Sequence, residues 1–106
     1  MINDMDLQRV DMKHIPDRFK VGRKNYYVQH GAPLPYKVRG RINPLARKIE
    51  LAFLGEQEKI AETFWHEVTH AILHDMDAYV KWTNEAFVNQ FSKRLAQVVR
   101  TASFNG

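Results

Sequence analysis

The chain has 106 residues, a formal net charge of +4 and no cysteine. This length supports one hydrophobic core, so residues 1–106 are expected to form a single domain with a strand-rich half, residues 1–55, and a helical half, residues 56–106. The lack of cysteine excludes disulfides, thiolate catalysis and cysteine-ligated zinc. The first residues are polar and no apolar run is long enough for a membrane span, so a cytoplasmic protein is expected.

Short strands are predicted in the first half, where aromatic and β-branched residues lie between turn residues. Phe19–Gly22 and Asn25–His30 are expected to pair around a polar turn. Tyr36–Ile42 and Arg47–Phe53 are expected to form a hairpin around an Asn-Pro turn at Asn43, because the second of these segments alternates polar and apolar residues. The predicted strands together make a small antiparallel sheet.

Two helices are predicted in the second half. Glu56 to about Tyr79 contains no glycine or proline. A second helix runs from near Asn84 to about Thr101, with Thr83 or Asn84 as its candidate N-cap. One stripe of this second helix is apolar and is expected to lie in the core: Phe87, Val88, Phe91, Leu95, Val98 and Val99. These elements predict an α+β fold, in which the small sheet packs against the two helices.

The first helix carries a His-Glu-x-x-His motif at residues 66–70. His66 and His70 are four residues apart, so their imidazoles lie one turn apart on the same helix face and can bind one metal ion. Glu67 lies beside this face, where it can accept a proton from a metal-bound water. The opposite arc of the same helix is apolar: Ile60, Ala61, Phe64, Trp65, Val68, Ala71, Ile72 and Met76. Two imidazoles with a carboxylate favour Zn²⁺.

The third ligand has more than one candidate. Glu85 follows on the next helix, where a helix hairpin would return it to a position beside His70. As an acidic residue in a first helical turn, Glu85 could instead only complement the helix dipole. His74 continues the face of His70, although His66 and His74 lie about 12 Å apart along one helix axis. Water is the remaining alternative.

The segment from Trp65 to His74, with Asn84 to Val88 opening the next helix, resembles the short phage- or prophage-encoded zincin-like proteins related to the ImmA/IrrE metallopeptidases. The resemblance covers roughly the second half of the chain. It implies a minimal zincin core of the gluzincin type, with His66, His70 and Glu85 as zinc ligands and Glu67 as general base. It also implies a protein or peptide substrate.

These observations predict a zinc metallopeptidase that hydrolyses a peptide bond through a zinc-bound water activated by Glu67. A catalytically silent zinc-binding protein is one alternative. A nucleic-acid-associated module is another, because residues 1–50 contain 11 Lys and Arg against 5 Asp and Glu. Its best basic patch comprises Arg39, Arg41, Arg47 and Lys48. No membrane partner is expected.

Overall fold

The computed structural model describes residues 15–52, 57–78 and 83–102. Within them lie four strands and two helices: β1 (Arg18–Val21), β2 (Lys24–His30), β3 (Gly40–Asn43), β4 (Lys48–Leu51), α1 (Gln57–Asp75) and α2 (Glu85–Thr101). The predicted α+β class is confirmed. In these parts of the chain, no helix combines the length and the apolar character that crossing a membrane requires.

The four strands form one mixed sheet in the order β1-β2-β4-β3. The two predicted hairpins are present, because β1 pairs with β2 and β3 pairs with β4 in antiparallel fashion. The prediction of a wholly antiparallel sheet is wrong at the central pair, where β2 and β4 are parallel. The central position of β4 follows from its side chains, because Ile49 and Leu51 are almost fully buried. A strand with such an apolar face is most stable in the centre of a sheet, where a neighbouring strand pairs with each of its two edges.

Two predicted boundaries shift for local reasons. The strand expected from Tyr36 begins only at Gly40, because the backbone amide of Val38 donates to the carbonyl of Pro35 (3.0 Å) and makes a turn. The first helix ends at Asp75, four residues before the predicted Tyr79, which lies outside the described residues. The second helix starts as predicted, with Asn84 as its N-cap.

The core lies between the sheet and α1. Its centre comprises Ile15, Ile49, Leu51, Phe64 and Val68. Phe64 and Val68 lie on the apolar arc predicted for the first helix, so this arc faces the sheet and the opposite arc is left for the metal motif.

The second helix, α2, packs on α1 and contacts none of the four strands that the structure describes. Its buried residues are Val88, Ser92 and Ala96, at a spacing of four. The prediction of a buried stripe is wrong for Phe91 and Val98, which are 47% and 61% exposed. Small side chains at the helix contact let the two axes approach closely, which turns the larger apolar residues toward the edge of the interface.

Gly40 brings the start of β3 close to the first helix. A Cβ atom at this position would lie 2.6 Å from Cγ2 of Thr63 and 3.2 Å from the carbonyl oxygen of Glu50. We expect Gly40→Ala to lower the free energy of unfolding by about 1–3 kcal/mol, because overpacking of this size moves β3 away from α1. Urea unfolding of the variant measures the loss.

A double variant tests the cause of this loss. Thr63→Ser removes Cγ2 but keeps the hydroxyl, which donates to the carbonyl oxygen of Lys59 at 2.9 Å. The Gly40→Ala, Thr63→Ser protein should therefore recover part of the stability. A double variant with additive losses would show that the contact with Thr63 is not the cause.

Candidate metal centre

The first helix presents His66 and His70 on one face, as the motif spacing predicts. Their ring centroids lie 4.9 Å apart, with the ring planes inclined at 66°. His70 is buried and His66 is partly buried, so neither imidazole is a freely rotating surface group. Both imidazoles therefore lie close enough together to bind one metal ion.

The second helix supplies Glu85 as its first residue. The side-chain oxygen of Asn84 accepts a hydrogen bond from the backbone amide of Phe87 (3.0 Å), which fixes where the helix begins. From this position the Glu85 carboxylate places Oε1 2.9 Å from Nε2 of His70 and Oε2 3.2 Å from Nε2 of His66. One carboxylate thus bridges both imidazoles across the contact between the two helices.

This donor set fits a divalent metal. One ligand atom from each of His66, His70 and Glu85 lies within 4.8 Å of the others. Ligands bound tetrahedrally to zinc at about 2.1 Å are separated by about 3.4 Å, close to the two distances above. Two imidazoles and one carboxylate form a set typical of catalytic zinc, with the fourth position left open.

His74, the competing third ligand, lies apart from this group. It is an exposed residue in the last turn of α1. Among the described residues, the group able to hold a metal contains His66, His70 and Glu85 and does not include His74. The structure thus brings together the three ligands that the family resemblance implies.

Glu67 is a buried carboxyl group beside the imidazoles. Its residue is only 6% exposed. Burial, and secondarily the negative charge of Glu85, raises the pKa of Glu67 to about 7. A carboxyl group with this pKa both accepts and releases a proton near neutral pH, which is the property required of a general base that later acts as an acid.

A cleft of about 380 Å³ opens beside these groups. Both His66 and Glu67 line it, so one of the two imidazoles and the buried acidic residue border a space that a substrate could enter. One wall is the segment from Lys37 to Gly40, and the other comes from α2 through Asn89, Ser92 and Lys93. Sequence reasoning missed these α2 residues. A signal was present, because their spacing from Glu85 places them on the same helix face.

Two residues of the predicted basic patch, Arg41 and Arg39, have different surroundings. Arg41 donates to the carboxylate of Glu50 (Nε to Oε1, 3.0 Å), and this hydrogen bond lowers the pKa of Glu50. Arg39, by contrast, lines the cleft. The four basic residues are therefore divided between an ion pair, the cleft wall and other surface positions.

Comparisons with protein-family models, with curated proteins and with solved structures found no match.

The raised pKa of Glu67 predicts a pH-dependent stability for the protein stripped of metal by a chelator. The carboxyl titrates near 4.5 when exposed and near 7 in the folded chain. The unfolded state therefore loses this proton first as the pH rises, and folding stability falls between these two values. At about 1.36 kcal/mol per pKa unit, the loss amounts to about 3 kcal/mol.

Glu67→Gln removes this titration. We expect urea unfolding of the metal-free proteins to show that the free energy of unfolding of the native chain falls from pH 4.5 to about pH 8 relative to that of the variant. Titrating groups that do not interact with Glu67 are common to both proteins and cancel in the comparison. Parallel pH profiles for the two proteins would contradict the prediction.

Proposed function

We propose that this chain is a zinc-dependent metallopeptidase of the gluzincin type. The observation that carries the proposal is the convergence of His66, His70 and Glu85 next to a buried Glu67 that lines a cleft. Metal ligands alone would support only a binding site. A carboxyl group of near-neutral pKa at the edge of a cleft supports hydrolysis as well.

Each residue has a defined task in this proposal. His66, His70 and Glu85 would hold the zinc ion from two helices. Zinc bound in such a site lowers the pKa of water and polarises a carbonyl group. A side-chain oxygen of Glu67 accepts the proton of the attacking water and then donates it to the nitrogen of the departing amine.

The resemblance of residues 65–74 and 84–88 to the phage-related ImmA/IrrE metallopeptidases also supports the proposal. The residues that this resemblance implies as ligands are the ones whose possible ligand atoms lie within 4.8 Å of one another. The substrate class in the proposal is therefore a protein or peptide. The relation to phage proteins and the cytoplasmic location stay predictions.

Hydrolysis of a quenched-fluorescence library of random peptides tests the proposal. The native chain, loaded with zinc and freed of excess metal, should cleave members of the library. Chelation should stop cleavage, and added zinc should restore it. A chain that retains zinc but cleaves neither this library nor a denatured protein would be a catalytically silent zinc-binding protein. Cleavage that survives full removal of zinc would also contradict the proposal.

A further inference from the structure

The cleft beside Glu67 has a basic lining. Lys37 and Arg39 contribute from the loop before β3, and Lys93 contributes from α2 on the opposite side. Besides Glu67, the acidic residue in the lining is Glu62, on α1. The positive groups thus outnumber the negative ones, and they come from two elements that are far apart in sequence.

No described carboxylate neutralises these three cations; the ammonium of Lys37 lies over the exposed ring of Tyr36, 5.5 Å from the ring centroid, and this contact leaves its charge in place. Neither Lys37, Arg39 nor Lys93 forms an ion pair with any residue that the structure describes. Arg41, two residues after Arg39, instead has its guanidinium engaged by Glu50. Because the cations in the lining outnumber the carboxyl groups and come from two walls, the cleft carries a local positive potential.

The backbone at Lys37 adds an independent observation. Its φ angle is +68°, in the left-handed region that glycine and asparagine adopt most readily. A residue with a Cβ atom is disfavoured in this conformation. Backbone strain of this kind occurs at ligand-binding sites and also in turns, and Arg47 and Asp77, which do not line the cleft, have positive φ angles too. The strained residue is here one of the three cations.

From this lining we infer that the cleft is a subsite for a carboxylate of the substrate, which makes the substrate class an acidic peptide. The inference rests on the proposed peptidase function. The cleft volume of about 380 Å³ lies in the range of pockets for small ligands, so it suits a short peptide segment. The carboxylate belongs either to an Asp or Glu side chain or to a C-terminus.

A nucleic acid is a weaker match to the same cleft. Proteins that bind single strands combine positive charge with aromatic side chains on which the bases stack. Apart from the imidazole of His66, no ring belongs to the described residues that line the cleft. An isolated carboxylate needs no stacking surface, only two or three cations that converge.

Peptide binding tests the inference without relying on turnover. The zinc-loaded Glu67→Gln variant serves as the receptor, after its zinc content has been measured. Four fluorescent probes of equal length are compared by anisotropy: amidated peptides rich in Glu, amidated neutral peptides, neutral peptides with a free C-terminus, and a single-stranded oligonucleotide. Each titration is repeated with Lys37→Gln and with Lys93→Gln added. Lys20→Gln, a change at an exposed lysine of β1, is the matched control.

We expect acidic peptides to bind about tenfold more tightly than neutral amidated peptides, and each cleft variant to weaken this binding about two- to fivefold. Lys20→Gln should change it by less than the cleft variants do. Preference for the free C-terminus over the Glu-rich probe would assign the subsite to a terminal carboxylate.

Other outcomes would overturn the inference. Equal binding of acidic and neutral peptides by a zinc-containing receptor would do so and leave the peptidase proposal standing. Equal effects of Lys20→Gln and the cleft variants would show that the preference for acidic peptides comes from the overall positive charge of the protein. Tight binding of the oligonucleotide alone would replace the peptide with a nucleic acid. A receptor that holds no zinc would count against the proposed function itself, while the same titrations would still report the preference of the cleft.

Discussion

Glu67→Gln is expected to lower the rate of zinc-dependent peptide hydrolysis by about 10²–10⁴-fold, because the amide can neither accept nor return a proton. The substitution nearly preserves the volume of a buried side chain, and Glu67 is outside the group of metal ligands. The variant should therefore keep its zinc. Rate measurements with the peptide library, together with zinc analysis of the same samples, check both parts of the prediction.

A matched change separates this effect from a general loss of negative charge. Asp77→Asn neutralises an exposed carboxylate just beyond α1, where the positive φ of +58° also suits asparagine. Its activity should stay close to that of the native chain. If Glu67→Gln were as active as Asp77→Asn, Glu67 would not be the general base, and the role of the buried carboxyl would have to be structural.

Glu85→Ala is expected to weaken zinc binding by at least about a hundredfold, because removal of a partner outside the ligand set already costs 10–100-fold. The reason lies in the geometry of the two helices. The Glu85 carboxylate contacts Nε2 of His66 at 3.2 Å and Nε2 of His70 at 2.9 Å. Among the described residues, Glu85 supplies the carboxylate in the group that could hold a metal ion. A competition titration with a chromogenic chelator measures the affinity.

Glu62→Ala provides the comparison for this variant. Glu62 lines the neighbouring cleft but is outside the ligand group, so its removal should alter zinc affinity only slightly. Thermal unfolding of the metal-free proteins shows whether α2 still forms without Glu85. Full zinc affinity in Glu85→Ala, with loss in His66→Ala, would move the third ligand to His74 or to water.

The sequence predicted the parts of the site that depend on local spacing. The His-Glu-x-x-His pattern requires only a regular helix to place His66, Glu67 and His70, and the absence of glycine and proline from the segment made that helix predictable. The start of α2 was predictable for the same reason, since Asn84 is an N-cap residue recognisable from sequence. Spacing within one helix is therefore enough to place two of the three proposed ligands and the proposed general base.

The contribution of Glu85 could not be derived from spacing alone. Whether its carboxylate reaches His70 depends on how α2 packs against α1, and the buried residues of α2 are Val88, Ser92 and Ala96. The predicted buried stripe included Val88 but also Phe91 and Val98, which are 47% and 61% exposed. An apolar stripe indicates that one side of a helix is buried, but the residues at the helix contact also depend on how closely the two axes approach.

The parallel pairing of β2 and β4 and the wall of the cleft were missed for a related reason. Hairpin signals are local, so they predicted the pairs β1-β2 and β3-β4 but not the contact between the two hairpins. The loop at Lys37 was predicted as strand, because its positive φ leaves no mark in a sequence without glycine or asparagine at that position. Long-range packing therefore determines both features.

The most direct test of the metallopeptidase proposal is the metal content of the purified native chain, measured by mass spectrometry beside His66→Ala and Glu85→Ala. We predict a single zinc ion per native chain and none in either variant, because each substitution removes one of the three ligands that lie within 4.8 Å of one another. A native chain that binds no zinc, even after reloading with the metal, would contradict the proposed site and with it the proposed activity.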